Sequence, residues 1–213
     1  MNVKAKVYAV LMKDKTLPSR REEYADATRA ALLNAAKDVF VEEGYQQAAV
    51  EVIARKARVT RGAFYHHFED KKALFEALVV ALQADAATRL VQRAQGVSQP
   101  LARLKLGTKA FLEVCTEQAY RRLVIQDAPA VLGMQRCREI GQQYPFGLLT
   151  RALAELKDAG VIKVANVELT ARMIGAMICE AALLLENATQ PKALERQALE
   201  VVDQVFASLR AER

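Results

Sequence analysis

Apolar residues recur at helical spacing along most of the chain. Leu32, Ala35, Ala36, Val39 and Phe40 form one stripe of a helix predicted over residues 28–44. Asp26 is placed to cap its start and Gly44 to follow its end. The next stretch, VIARKARVTRGAFYHHFEDKKALF from Val52 to Phe75, has a shorter rhythm. It predicts a short helix from Val50 to Ala57, a tight turn at Arg58 and Val59, and a second short helix from Arg61 to His67 capped by Thr60. Asp70 then caps a long helix that runs toward Gln95. Helix, short helix, tight turn, short helix is the helix-turn-helix layout. In it Ile53, Ala57, Val59, Phe64 and Phe68 clamp the two short helices together, and small Ala54 permits their close approach. The remaining positions of the second short helix, Arg61, Gly62, Ala63, Tyr65 and His66, are displayed outward.

Beyond residue 95 the stretch GVSQP, Gly96 to Pro100, reads as a linker. Five more helices are predicted, over 101–118, 120–131, 135–159, 167–187 and 192–210. Gly141 and the Tyr144-Pro145 pair are expected to bend the third of them. Strand patterns, internal repeats and low-complexity segments are absent from the sequence. The fold class is therefore all-α: a basic arm over 1–23, a three-helix DNA-binding unit over 24–86 with its helix-turn-helix at 49–68, and a helical domain over 87–213.

Composition supports this and adds charge. Of 213 residues, 52% are hydrophobic and only nine are Gly and five Pro, which favours long helices. The net charge is +6, compatible with a polyanionic partner. Its distribution is more telling. Residues 1–21 hold Lys4, Lys6, Lys13, Lys15, Arg20 and Arg21 against Asp14 alone, and the 45–75 stretch is also basic. The arm is expected to be mobile and to add non-specific affinity for DNA. Cys115, Cys137 and Cys179 are widely spaced and odd in number, which suggests reduced thiols in a cytoplasmic protein. No apolar run approaches the length of a membrane span, and the short run Val7–Met12 lacks a signal-peptide pattern.

The segment ALLNAAKDVFVEEGYQQAAVEVIARKARVTRGAFYHHFEDKKALFEAL, and VTRGAFYHHFEDKKALF above all, resembles the DNA-binding region of the tetracycline-repressor (TetR) family of bacterial transcription regulators. The resemblance covers residues 26–86 well and the rest only as an all-helical ligand-binding and dimerisation domain. Two departures stand out. Ala49-Val50 replaces the usual Thr or Ser that opens the first short helix, and Arg58 replaces the usual Gly of the turn. The resemblance implies a homodimer on double-stranded operator DNA, released by a small molecule, with repression the expected outcome; the mostly aliphatic C-terminal helices make an apolar or amphipathic effector the expectation.

The site residues follow. Arg61 is the expected base reader, since an arginine early on a recognition helix reaches guanine O6 and N7 together; a phosphate contact is its other role. Gly62 lets the backbone approach the groove wall, and Ala63 can touch a thymine methyl. By resemblance Tyr65 and Lys71 contact phosphate, and His66 a phosphate or a base edge. Thr28, Arg29 and Thr60 are further candidates. His66 and His67 point about 100° apart on a helix, poor geometry for joint metal ligation, so no metal and no cofactor are expected. His67 is expected to pack inside the three-helix unit. For the effector, Glu113, Cys115, Glu117, Tyr120, Arg121 and Tyr144 are candidates to line a pocket. Glu180, in the apolar run MIGAMICEAALLLENA, has three open roles: pairing across a dimer interface, anchoring a ligand, or facing water. Gly175, Ala176, Ala181 and Ala182 allow close helix approach, and by resemblance this helix and the last form a four-helix dimer interface. GxSxG, Walker, CxxC and HExxH motifs are all missing, so an enzyme is not expected. A cysteine redox-sensing regulator and a ligand-independent DNA-binding protein are the alternatives.

Overall fold

The computed structural model describes residues 19–211. Helices α1 (Arg20–Gln47), α2 (Val50–Lys56), α3 (Arg61–His67) and α4 (Lys71–Arg93) are followed by α5 (Pro100–Thr116). A π-helical segment, Tyr120–Asp127, then leads into α6 (Ala128–Leu132), α7 (Met134–Gln143), α8 (Pro145–Asp158), α9 (Val167–Glu186) and α10 (Pro191–Ser208). No strand occurs among the described residues.

The α1 start is a correction. Asp26 does not cap it. The helix begins two turns earlier at a reciprocal cap in which Ser19 Oγ accepts the Glu22 N–H at 3.3 Å and the Glu22 carboxylate accepts the Ser19 N–H at 2.7 Å. Arg20 and Arg21, counted with the basic arm, are thus helical. The rest of the arm lies outside the described residues. Near the other end Gly44 takes φ 77°, a left-handed conformation that favours glycine.

Two hydrophobic cores result. The first holds Leu32, Phe40, Ile53, Phe64 and Phe75. The second holds Leu90, Phe111, Leu153, Ile174 and Phe206. They do not divide cleanly at residue 86. Leu123, Ala128, Leu132 and Ile140 pack into the first core although they follow it far along the chain. Helix α4 enters both, through Leu74, Phe75, Leu78 and Val79 at one end and Ala86 and Leu90 at the other. It is a rigid strut between the two units. Arg136 of α7 ties it further, donating from Nε (2.9 Å) and Nη2 (2.6 Å) to Glu76.

The helix predicted over 135–159 is two helices. Tyr144 precedes Pro145, adopts φ −122° and ends α7, because the proline ring excludes helical geometry from the residue before it. Phe146 then packs against Gly141 and Gly175; a Cβ on Gly175 would lie 2.0 Å from its ring. Gly175 and Ala182 accordingly face inward, not toward a partner. Among the described residues no helix is long and apolar enough to cross a membrane.

Candidate nucleic-acid interface and effector cavity

Helix α2 opens without a side-chain cap at Ala49, as the absent hydroxyl requires. The turn that follows is closed by the Val59 N–H donating to Ala54 O at 3.0 Å, and it holds Arg58 at φ 57°. A non-glycine residue there carries about 1–2 kcal/mol of steric strain. Thr60 Oγ1 accepts the Ala63 N–H at 3.1 Å and starts α3. Phe64 anchors that helix: it is fully buried, with Phe68 at 6.0 Å between ring centroids and Tyr65 edge-on at 5.1 Å.

The opposite face is open. Arg61, Gly62, Tyr65 and His66 are exposed and Ala63 is half-buried. Arg61 lies 3.0 Å from Glu51 and over the Tyr65 ring at 5.6 Å. Such an exposed ion pair is weak and releases easily. A Cβ on Gly62 would meet only Thr60 Oγ1 at 3.8 Å, so no contact within the protein calls for glycine here. Arg55, Arg58 and Lys72 are exposed and lack a carboxylate partner among the described residues. His67 is half-buried, and its burial, with His66 and Arg29 nearby, holds its imidazole below the ordinary range.

Three expected DNA contacts sit differently. Thr28 and Arg29 are not at a helix start but in the third turn of α1. Thr28 Oγ1 donates to Tyr24 O at 2.8 Å, and the Arg29 guanidinium lies 5.2 Å from the Phe68 ring. Lys71 is turned into the protein. Its ammonium donates to Tyr45 O (2.8 Å), Gln46 O (3.3 Å) and Ala48 O (3.0 Å), 4.6 Å from the Tyr45 ring. All three donors of a lysine are thereby used on carbonyls at the end of α1. Lys71→Ala is therefore expected to cost about 1–3 kcal/mol of stability by stranding partly buried carbonyls. Thermal unfolding beside the exposed control Lys72→Ala checks this; equal melting points for the two variants would refute it.

A cavity of about 890 Å³ opens between the C-terminal end of α4, α5, α8 and α9. Leu104, Phe111, Phe146, Leu149, Ile174 and Ile178 are among its walls. None of the seven residues expected to bind the effector lines it. Glu113 pairs with Arg93 at 2.9 Å and Glu117 with Arg89. Arg121 donates to Thr116 O at 2.7 Å and to Glu186 at 3.0 Å. Tyr120 is buried, donating its hydroxyl to Gln83 Oε1 at 2.9 Å. Cys115 is fully buried, and burial pushes both its thiol and the Tyr120 phenol up. Tyr144 packs against the first core at the α7–α8 break. Glu180 is exposed, so it faces water in the single chain. The polar groups of 113–121 serve helix-to-helix ties, while aliphatic and aromatic residues that read as ordinary core enclose the space. Among the described residues no group of three His, Cys, Asp or Glu is placed to hold a metal.

Against known proteins, a family model described as "Bacterial regulatory proteins, tetR family" matches residues 32–78, and one described as "Tetracyclin repressor-like, C-terminal domain" matches residues 101–209. The chain is 24% identical over 173 residues to the Transposon Tn10 TetC protein of Escherichia coli, covering 79% of this chain and 85% of that one. It is 33% identical over 127 residues to the HTH-type transcriptional repressor BepR of Brucella suis biovar 1, covering 59% of this chain and 58% of BepR. The crystal structure of a TetR-family transcriptional regulator from Pectobacterium atrosepticum superposes with a TM-score of 0.70 at 29% identity, covering 92% of this chain and 99% of that one.

Proposed function

The chain belongs to the tetR family of bacterial regulatory proteins, DNA-binding regulators of transcription, and from that premise we propose that it is a repressor. It binds a pseudo-palindromic operator as a homodimer and is released when a small apolar or amphipathic molecule enters the cavity. The observation that carries this reading is the division of α3: Phe64 is fully buried while Arg61, Gly62, Tyr65 and His66 face solvent. A seven-residue helix spans too few base pairs to select an operator alone, hence two copies on adjacent major grooves.

Arg61 reads a guanine edge in this scheme, letting go of Glu51 as it does so. Gly62 brings the backbone to the groove wall, and Arg58, Tyr65 and His66 hold phosphates. Arg61→Ala is expected to weaken operator binding by about 5- to 150-fold, the effect of losing one bidentate base contact. Random DNA of the same length should lose far less. An equal loss on both, measured by fluorescence anisotropy at fixed salt, would make Arg61 a phosphate contact instead.

Release runs through α4. Leu90 and Val91 line the cavity and Leu74 and Phe75 hold the DNA-binding unit, on one continuous helix. An effector that prefers one tilt of this strut changes the separation of the two recognition helices. It shifts the equilibrium only by its differential affinity for the two states, typically about 1–3 kcal/mol, and operator must weaken effector binding by the same factor. The thiols divide: burial raises those of Cys115 and Cys137, whereas a hydrogen bond from Cys115 lowers that of Cys179, so a redox input at the Cys115–Cys179 pair is the alternative reading.

A further inference from the structure

We propose that the effector is an amphipathic carboxylate: an apolar body held inside the cavity and a single anionic head at its mouth, received by Arg151. The inference rests on reading the cavity as the effector site, and it narrows the ligand from "small and apolar or amphipathic" to one charge type.

The interior offers almost nothing polar. Its one buried hydroxyl, Thr108, spends its only donor on Leu104 O at 2.9 Å and leaves an acceptor alone facing the cavity. A ligand with polar atoms along its length would bury them unpaired, which is costly. An apolar body fits, against Phe111 and Phe146, whose rings meet edge-to-face at 6.0 Å. At about 890 Å³ the space suits a molecule of drug or lipid-tail size. On one wall Gly107 adds no bulk, since a Cβ there would meet nothing within 4 Å.

Charge among the lining residues is confined to Arg103, Arg151 and Glu155. Arg103 is paired with Glu155 at 3.4 Å. Arg151 is exposed and has no carboxylate partner among the described residues. It precedes Glu155 by four residues on α8, so the two side chains share a helix face. The lining therefore carries one uncompensated positive charge. A planar guanidinium accepts a carboxylate through two parallel hydrogen bonds, a stronger and more selective contact than a neutral head group makes. A cationic ligand would have only Glu155 to meet it, against two arginines and a net positive lining.

The test is calorimetry on the full-length protein with octanoate, decanoate and dodecanoate below their micelle concentrations. The matched alcohols and alkyltrimethylammonium ions are run in parallel. Affinity should rise by about fourfold per methylene as the body fills the cavity. Each carboxylate should bind about tenfold or more tightly than its alcohol, the worth of a charge-assisted contact. Arg151→Gln should erase that preference and keep the chain-length slope. Glu155→Gln, which frees Arg103, should enlarge the preference. Carboxylate and alcohol binding alike, an ammonium ion binding best, or a preference unmoved by both variants would overturn the proposal. Operator binding is measured on the same samples. Carboxylates that bind with the stated preference but leave operator bound support the ligand class and sink the effector reading. Alcohols that bind as tightly as the carboxylates and release operator do the reverse.

Discussion

Phe64→Ala should abolish operator binding and lower stability by about 3–5 kcal/mol, the usual cost of removing a fully buried phenylalanine. Phe64 has no exposed surface and is the one buried side chain of α3. Without it the recognition helix keeps its Thr60 cap, its backbone ladder and the partial burial of Ala63 and His67, too little for seven residues, since isolated helices this short are unstable in water. His66→Ala, two positions along, is the counterpart. His66 is exposed, so stability should stay within about 0.5 kcal/mol while operator affinity falls. Urea unfolding and anisotropy on both variants separate clamp from displayed face. A Phe64→Ala protein that still binds operator with native stability would mean that α3 is held by something other than its aromatic contact.

The helix-turn-helix was legible because most of its boundaries have a local chemical cause, the uncapped start of α2 at Ala49 being the exception. Thr60 and Asp70 are caps, the tight turn sits at Arg58 and Val59 as expected, and the observed α3 has the bounds the sequence predicts. The start of α1 was missed for a physical reason. The first apolar stripe lies further along, whereas the first two turns are polar and solvent-exposed and are begun by a Ser-x-x-Glu cap. That signal is present in the sequence without any hydrophobic periodicity beside it. Apolar spacing continues through the break at Tyr144, so the sequence alone predicts only a bend there. The π-helical turn at Tyr120–Asp127 has no sequence signature of its own. The cavity is least legible of all. It is a mismatch between four helices, lined by side chains that also look like ordinary core, and a search for polar residues finds instead the ion pairs that join those helices.

Met173→Asp should turn the protein into a monomer and reduce operator affinity by about 10²- to 10⁴-fold, the range lost when two linked contacts become independent. On α9 Leu169, Met173 and Leu184 are 55%, 61% and 55% exposed, and Val201 on α10 is 49% exposed. Large apolar side chains in such number on two neighbouring helices mark a contact surface. Ala176 and Glu180 are exposed between Met173 and Leu184: Ala176 adds little bulk and lets a facing helix come close, and Glu180 is the one carboxylate among them. In the dimer proposed above, a second copy presenting the same face would be the occupant and would also supply the second recognition helix. An aspartate at Met173 would have to be buried there without a partner, which a contact between two such faces does not tolerate. Folding of the single chain should survive, because Met173 lies outside both cores. Sedimentation equilibrium reads the assembly state, and anisotropy on a full operator and on an isolated half-site reads its consequence. The variant should lose affinity for the full operator and keep it for the half-site. A dimer that persists in Met173→Asp with undiminished operator affinity would place the partner surface elsewhere on the helical domain.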